Sequence, residues 1–142
     1  MADYRILVTG SRDWASAHTV NVTLDGLLAE HGTLTVVHGA CREGADKMAH
    51  NWALNARHAS SFAAVTIEPH PAVWRPGGTF DRAAGFKRNA EMVTLGASLC
   101  LCFLMPCADP KCRRTGAHGS HGASHCAGLA EAAGIETRRI NG

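Results

Sequence analysis

The stretch "SLCLCFLM" at residues 98–105 is apolar on both alternating faces. A strand of that kind must be covered on both sides, which excludes a sheet with one solvated face and points to helices packed above and below it. The rest of the chain supplies the partners. "YRILVT" (4–9) stops at Gly10, "LTVVHG" spans 34–39 and "FAAVTI" spans 62–67, and all three have the β-branched and aliphatic content of buried strands. "IETRRI" (135–140) has the pattern of an edge strand. Between these runs the apolar spacing changes to that of helices. Val20, Leu24, Leu27 and Leu28 precede a terminating Gly32; Ala45, Met48, Ala49, Trp52, Ala53 and Ala56 form one stripe. A third helix is predicted over 84–95, and a fourth carries Cys126, Leu129, Ala130 and Ala133 before Gly134. "EPHPAVWRPGG" (68–78), with three prolines and two glycines, is expected to lack regular structure. The order β-α-β-α-β-α-β-α-β predicts a three-layer α/β sandwich of about five mostly parallel strands, with helices on both faces and right-handed crossovers.

At 142 residues and 46% hydrophobic content, the expectation is a single domain over 1–142. A formal charge of +2 is too balanced for the basic footprint of a nucleic-acid binder and suits a small anionic ligand better. The amino-terminal "MADYRILVTG" has neither the basic-then-apolar pattern of a signal peptide nor a membrane-spanning length, so a cytoplasmic protein with no membrane partner is expected. In that setting the six cysteines are expected as thiols or metal ligands rather than disulfides.

Ligands of such sheets bind beyond the carboxyl ends of the strands. "TGSRDW" (9–14), "HGACREGAD" (38–46), "HPAVW" (70–74) and "CADPKCRRTGAHGSHGASHC" (107–126) all fall on that edge. Gly10, Gly39 and Gly44 let a backbone come close to a ligand, and Ser11, Arg12 and Arg42 offer donors to phosphate oxygens. Neither "GxGxxG" nor "GxxxxGK[ST]" occurs, which disfavours the usual dinucleotide fingerprint and the P-loop.

Four segments, "RILVTGSRDW", "VVHGACREGADKMAHNWA", "AGFKRNAEM" and "GSHGASHCAGLAEAAGI", in this order and spacing, resemble the YspA-related branch of the SLOG superfamily. These Rossmann-like proteins also include the DprA and LOG families. The resemblance covers nearly the whole chain. It implies a pocket for a nucleotide or nucleotide derivative formed by Gly10, Ser11, Arg12, Gly39, Ala40, Gly44, Asp46, Arg88, Asn89, Gly119, Ser120, His121, Gly122 and Ala123. It also implies, in the LOG branch, a phosphoribohydrolase that releases a base from a nucleotide. The LOG turn "PGGxGTxxE" corresponds here to "GSHGASHC": Gly119 and Gly122 fit its glycines, Ala123 replaces threonine, and Cys126 stands where the glutamate belongs. The resemblance therefore implies a ligand-binding protein more than an efficient hydrolase. The alternative is a LOG-like N-glycosidase using another acid, with Asp46 or Glu43 as the candidate.

Plainer roles compete for several of these residues. Asp46 suits a helix's first turn as well as a ribose, and Arg88 and Asn89 suit a solvated helix face. Trp14 and Trp74 fit either base stacking or the core, Trp52 fits the core, and His38 fits a satisfied core histidine. In the Cys/His segment, His121 and His125 stand four apart on one helical face, the spacing of a metal-binding pair. With Cys107 and Cys112 they form a candidate zinc tetrahedron, for which His118 is an alternate ligand. Cys126 lies on the apolar stripe and is expected to point inward. Phe80, Phe86, Val93 and Leu95 give the third helix more apolar surface than one buried face requires, so a homodimer or higher homo-oligomer is expected.

Overall fold

The computed structural model describes residues 4–59, 64–113, 116 and 118–142. Its elements are β1 (Tyr4–Gly10), α1 (Ala17–His31), β2 (Leu34–His38), α2 (Ala45–Ala59), β3 (Val65–Pro69), a 3-10 turn (Pro76–Gly78), α3 (Ala84–Thr94), β4 (Leu99–Leu104), α4 (His121–Ala132) and β5 (Thr137–Asn141). The strands form one sheet in the order β3-β2-β1-β4-β5, and every neighbouring pair is parallel. This is the α/β sandwich that the alternating pattern predicts, and the Rossmann-like fold that the resemblance implies.

Side-chain alternation on the central strands assigns the layers. Ile6 and Val8 of β1 point to one face, where Val20 and Leu24 of α1 and Ala49 and Trp52 of α2 close over them. Leu7 points to the other, against Met92 of α3 and Cys126 and Ala130 of α4. Every residue of β4 is buried, as the doubly apolar run requires. Right-handed crossovers explain the split. β1, β2 and β3 advance in one direction with their helices on one face, so β4 and β5, laid down in the opposite direction, need theirs on the other. The sheet changes direction between β1 and β4.

Local signals set the ends. The Ser16 hydroxyl accepts the Thr19 amide at 3.2 Å and starts α1, while Gly32, at φ +79°, donates its amide to Leu28 O at 2.8 Å and ends it. Two boundaries differ from expectation. The third strand runs through Glu68 and Pro69, into the stretch expected to lack regular structure; Pro69 is tolerated because β3 is an edge strand. Phe62 and Ala63 lie outside the described residues. The buried stripe of α4 is Ala123, Cys126, Ala127 and Ala130, with Leu129 half-buried and Ala133 exposed, because the helix begins at His121 and so presents an earlier set of positions to the sheet.

Two of the residues left open fall in the core. Trp14 is buried against Phe103, with ring centroids 5.4 Å apart, and its indole N–H donates to Ser16 O at 3.0 Å. His38, at the end of β2, is buried and satisfied on both nitrogens: Nδ1 accepts the Ala40 amide at 3.0 Å, so Nε2–H donates to His50 Nδ1 at 3.0 Å. Burial, and then the neighbouring His50, pull its pKa from the ordinary 6.5 to about 4. The unfolded chain binds a proton there first as pH falls, so the neutral folded state loses stability across that window. Between pH 6.5 and 4 the wild type should lose up to about 3 kcal/mol relative to His38→Asn, whose side-chain oxygen can accept the same amide. Urea unfolding of both proteins across this range checks the difference.

Candidate ligand-binding site

Where the sheet changes direction, a cavity of about 360 Å³ opens beyond the carboxyl ends of β1 and β4. That volume lies within the range of small-molecule sites. Of the residues expected at the ligand edge, Gly10, Ser11, Arg12, Asp46, Arg88, Asn89, Ser120, Gly122 and Ala123 form its walls. Gly39 and Ala40 line an adjoining groove of about 580 Å³, with Arg12, Cys41, Trp74 and Arg88 common to both spaces. Gly44, Gly119 and His121 line neither. Gly44, at φ +80°, packs its Cα side onto Ser11 and Arg12, where a Cβ would run into the Ser11 carbonyl. Gly119 lies against Leu104 and Ser124, and His121 turns toward the Cys/His loop. The cavity also takes Thr9, Cys41, Trp74, Arg82, Phe86 and Met92. Arg82 had a usable signal: it lies just before α3, whose amino end must reach this edge because the helix follows β3.

The first turn of α4 borders the cavity with its leading amides. Ser120 is its extended N-cap residue, at φ −60° and ψ 145°, yet its hydroxyl makes no capping bond and is paired instead with the Ser11 hydroxyl. Ser11 Oγ also accepts the Met105 amide at 2.9 Å. The leading amides of α4 are therefore left without a side-chain cap, at the positive end of the helix, and Gly122 and Ala123 face the cavity. Buried Asn89 secures this turn from α3, donating from Nδ2 to Gly122 O at 3.3 Å.

Charge is unevenly distributed around the opening. Arg12 and Arg82 are exposed at the rim. Arg88 is half-buried and committed to the scaffold: Nε–H donates to Asn89 Oδ1 at 3.0 Å and Nη1 to Gly39 O. Beneath it, buried Asp46 accepts the Gly39 amide at 2.9 Å. Burial raises the Asp46 pKa above its usual range, against the lowering effects of the Gly39 amide, Arg88 and Cys41. Trp74 and Phe86 give the cavity aromatic walls, and Trp74 stacks on Phe80 with centroids 5.9 Å apart.

Cys126 is fully buried among Leu7, Val37, Met92 and Cys100, and is no part of the cavity wall. Burial pushes its thiol pKa up to about 11 even with a hydrogen bond from the side chain of Thr9. The inward orientation expected from its stripe is what the helix shows.

Beyond Ser120, on the far side of the same turn, the sulfurs of Cys107 and Cys112 and ring nitrogens of His118 and His121 lie within 4.8 Å of one another. The structure thus brings together three of the four expected metal candidates and the alternate, His118. His125 stands apart, its ring 4.3 Å from Phe86 and its Nδ1 3.4 Å from Asn89 Nδ2. His121 and His125 diverge because the first residue of α4 faces the loop while the next turn faces α3.

Fold and cavity together define a Rossmann-like protein with a cavity and an uncapped helix start at the switch point of its sheet. The family profile described as YAcAr, the YspA, cpYpsA-related SLOG family, matches residues 4–75. The Gene 61 protein of Mycobacterium phage D29 is 41% identical over 132 residues, covering 92% of this chain and 91% of that protein. The chain belongs to the YspA, cpYpsA-related SLOG family. No solved structure matches it.

The burial of Cys126 makes a carboxylate at this position a liability. Cys126→Glu should lower folding stability by about 3 kcal/mol or more, because a larger, ionisable side chain would enter a fully buried apolar cluster. Cys126→Ala should cost far less. Thermal melting of the two variants beside wild type checks the ranking.

Proposed function

We propose that the protein binds a nucleotide-derived small molecule in this cavity and acts as a sensor, carrier or sequestering protein. The observation that carries the reading is the uncapped amino end of α4 opening into a 360 Å³ cavity bordered by Arg12, Arg82 and Arg88. A phosphate on the Gly122 and Ala123 amides would gain both the helix dipole and arginine charge. Trp74 and Phe86 offer faces for a base. Asp46 offers a carboxylate for ribose hydroxyls. Membership of the SLOG family supports a nucleotide-related ligand in general. No helix among the described residues is long and apolar enough to cross a membrane, and a cytoplasmic setting agrees with the free cysteines. The exposed apolar residues Phe80, Phe86 and Leu95 on and beside α3 support self-association as a homo-oligomer, which light scattering at micromolar concentration would read directly.

A second reading, N-glycosidase action on nucleoside phosphates, is favoured by one observation: a buried carboxyl with a raised pKa, Asp46, lines the cavity. Cleavage develops positive charge on the ribose and negative charge on the departing base, so it needs a carboxylate near the sugar or an acid near the base. We expect binding without efficient turnover. Free base released from purine or pyrimidine monophosphates at a rate comparable to a LOG-type enzyme, and abolished in Asp46→Asn, would reverse that assignment.

Ligand binding is tested by thermal shift with mono-, di- and cyclic nucleotides and NAD derivatives. A ligand that binds only the folded state raises the melting temperature, by about 2.7 kcal/mol of stabilisation at a hundredfold excess over Kd. No response from the whole panel would sink the reading. Arg12 is the clean probe: it is exposed, and Arg12→Glu should weaken binding at least about tenfold while leaving unliganded stability within about 0.5 kcal/mol. Arg88→Glu should damage both, because Arg88 also ties α3 to Gly39.

A further inference from the structure

We propose that Cys107, Cys112, His118 and His121 form a structural zinc site that fixes the loop between β4 and α4. The donor geometry is the first argument. His121 Nε2 lies 3.4 Å from Cys107 Sγ, 3.3 Å from Cys112 Sγ and 3.4 Å from His118 Nε2, and Cys112 Sγ lies 3.4 Å from His118 Nε2. A tetrahedral zinc with bonds of about 2.3 Å to sulfur and about 2.0 to 2.1 Å to nitrogen has N–N edges of about 3.3 Å and N–S edges of about 3.5 Å. Four of the six edges between the donors match that tetrahedron, and the other two are no longer than 4.8 Å.

Proton bookkeeping is the second argument. His118 Nδ1 lies 3.0 Å from Gly116 O, and a carbonyl only accepts, so Nδ1 carries the proton and Nε2 presents a bare lone pair to the cluster. A ring nitrogen held this way by a backbone carbonyl is the usual outer support of a metal-binding histidine. Without a cation, two imidazole nitrogens and two sulfurs converge on one point, and the two thiol protons can fill only two of their four close contacts. A divalent ion satisfies all four together, and two thiolates neutralise its charge. Thiolate with imidazole in a tetrahedron selects zinc over calcium or magnesium.

The backbone brings the ligands together independently of any metal. Cys107 N donates to His118 O at 2.8 Å, Pro106 bridges Gly119, and Ser120 N donates to Met105 O at 3.1 Å, which places the two ends of the loop side by side. Asp109 turns the chain, accepting the Lys111 amide at 2.9 Å on its side chain and the Cys112 amide at 3.1 Å on its carbonyl. All four ligands are half-buried, with no open position reserved for a substrate, as suits a structural rather than a catalytic site. The site stands on its own geometry, whether or not a nucleotide binds nearby.

The test is zinc content by elemental analysis of the whole protein, purified under reducing conditions and dialysed, with cobalt substitution as the geometric readout. A single zinc per chain is expected, with the strong visible absorption of tetrahedral cobalt and a thiolate charge-transfer band after exchange. Zinc occupancy should fall at least about tenfold in Cys112→Ser and in His118→Ala, and be retained in His125→Ala. Chelation should lower the melting temperature of the wild type, and added zinc should restore it. Wild-type protein without stoichiometric zinc after reconstitution, a Cys107–Cys112 disulfide that resists reduction in the native protein, or a weak octahedral cobalt spectrum would overturn the site. Loss of zinc in His125→Ala with retention in His118→Ala would overturn this ligand set. The wild-type metal content and cobalt spectrum decide the matter even if a ligand variant does not fold.

Discussion

The ligand edge depends on the pairing of β1 with β4, which ends with Gly10 beside Phe103. The pairing continues past the strands, as the Ser11 amide donates to Phe103 O at 2.9 Å and the Met105 amide donates to the Ser11 hydroxyl. The two strands thus leave the sheet as one unit while their connections separate, one to α1 and the other to α4. That separation makes the crevice. Gly10 is required at its base because α2 packs so close that an added Cβ would lie 2.5 Å from Ala45 Cβ. A larger residue there would lift α2 and carry Asp46 with it.

Around this base the polar groups divide into braces and open groups. Arg88, Asn89 and Asp46 resemble ligand-binding residues by type, yet each also joins elements distant in sequence. Arg88 connects α3 to Gly39, Asn89 connects α3 to α4, and Asp46 holds the turn after β2 through the Gly39 amide. A buried group in such a network rigidifies the cavity, and removing one partner leaves another polar atom unpaired. Arg12, Arg82 and the first amides of α4 have fewer structural commitments and are the groups an incoming anion would meet first. Function and stability are therefore mixed in the inner ring and separable at the rim.

Layer order and strand direction were legible because the doubly apolar run at 98–105 and the helical stripe from Ala45 to Ala56 each admit one kind of neighbour. The cavity was legible in outline, since connections after parallel strands must converge at one edge. Residues 82 and 86 were not singled out as walls, because a residue's position in a helix's first turn says little about which way its side chain leans. Trp14 and Trp74 have the same composition signal and opposite fates, decided by Phe103 beside one and Phe80 beside the other. The metal candidates show the limit of spacing as evidence. His121 and His125 satisfy the helical rule, but the rule holds only if both lie inside the helix with a partner facing both, and at a helix start the loop captures the first residue alone. Pairing of residues 105–107 with 118–120 brought in His118, and nothing in the local sequence encodes that contact.

The same helix start connects the two chemistries of this edge. Successive residues of a helix are rotated by about 100°, so Ser120 and His121 cannot face the same way. Ser120 turns to Ser11 and the cavity, His121 to Cys107 and Cys112. Whatever holds His121 also fixes the rotation of the first turn of α4, and with it the direction of the Gly122 and Ala123 amides. Asn89 holds that turn from the opposite side through Gly122 O. The turn is thus clamped between α3 and the Cys/His loop, and its side-chain cap is replaced by these two lateral supports. That substitution leaves the helix end open, because a hydroxyl folded back over the leading amides would occupy the position in which an anion could bind.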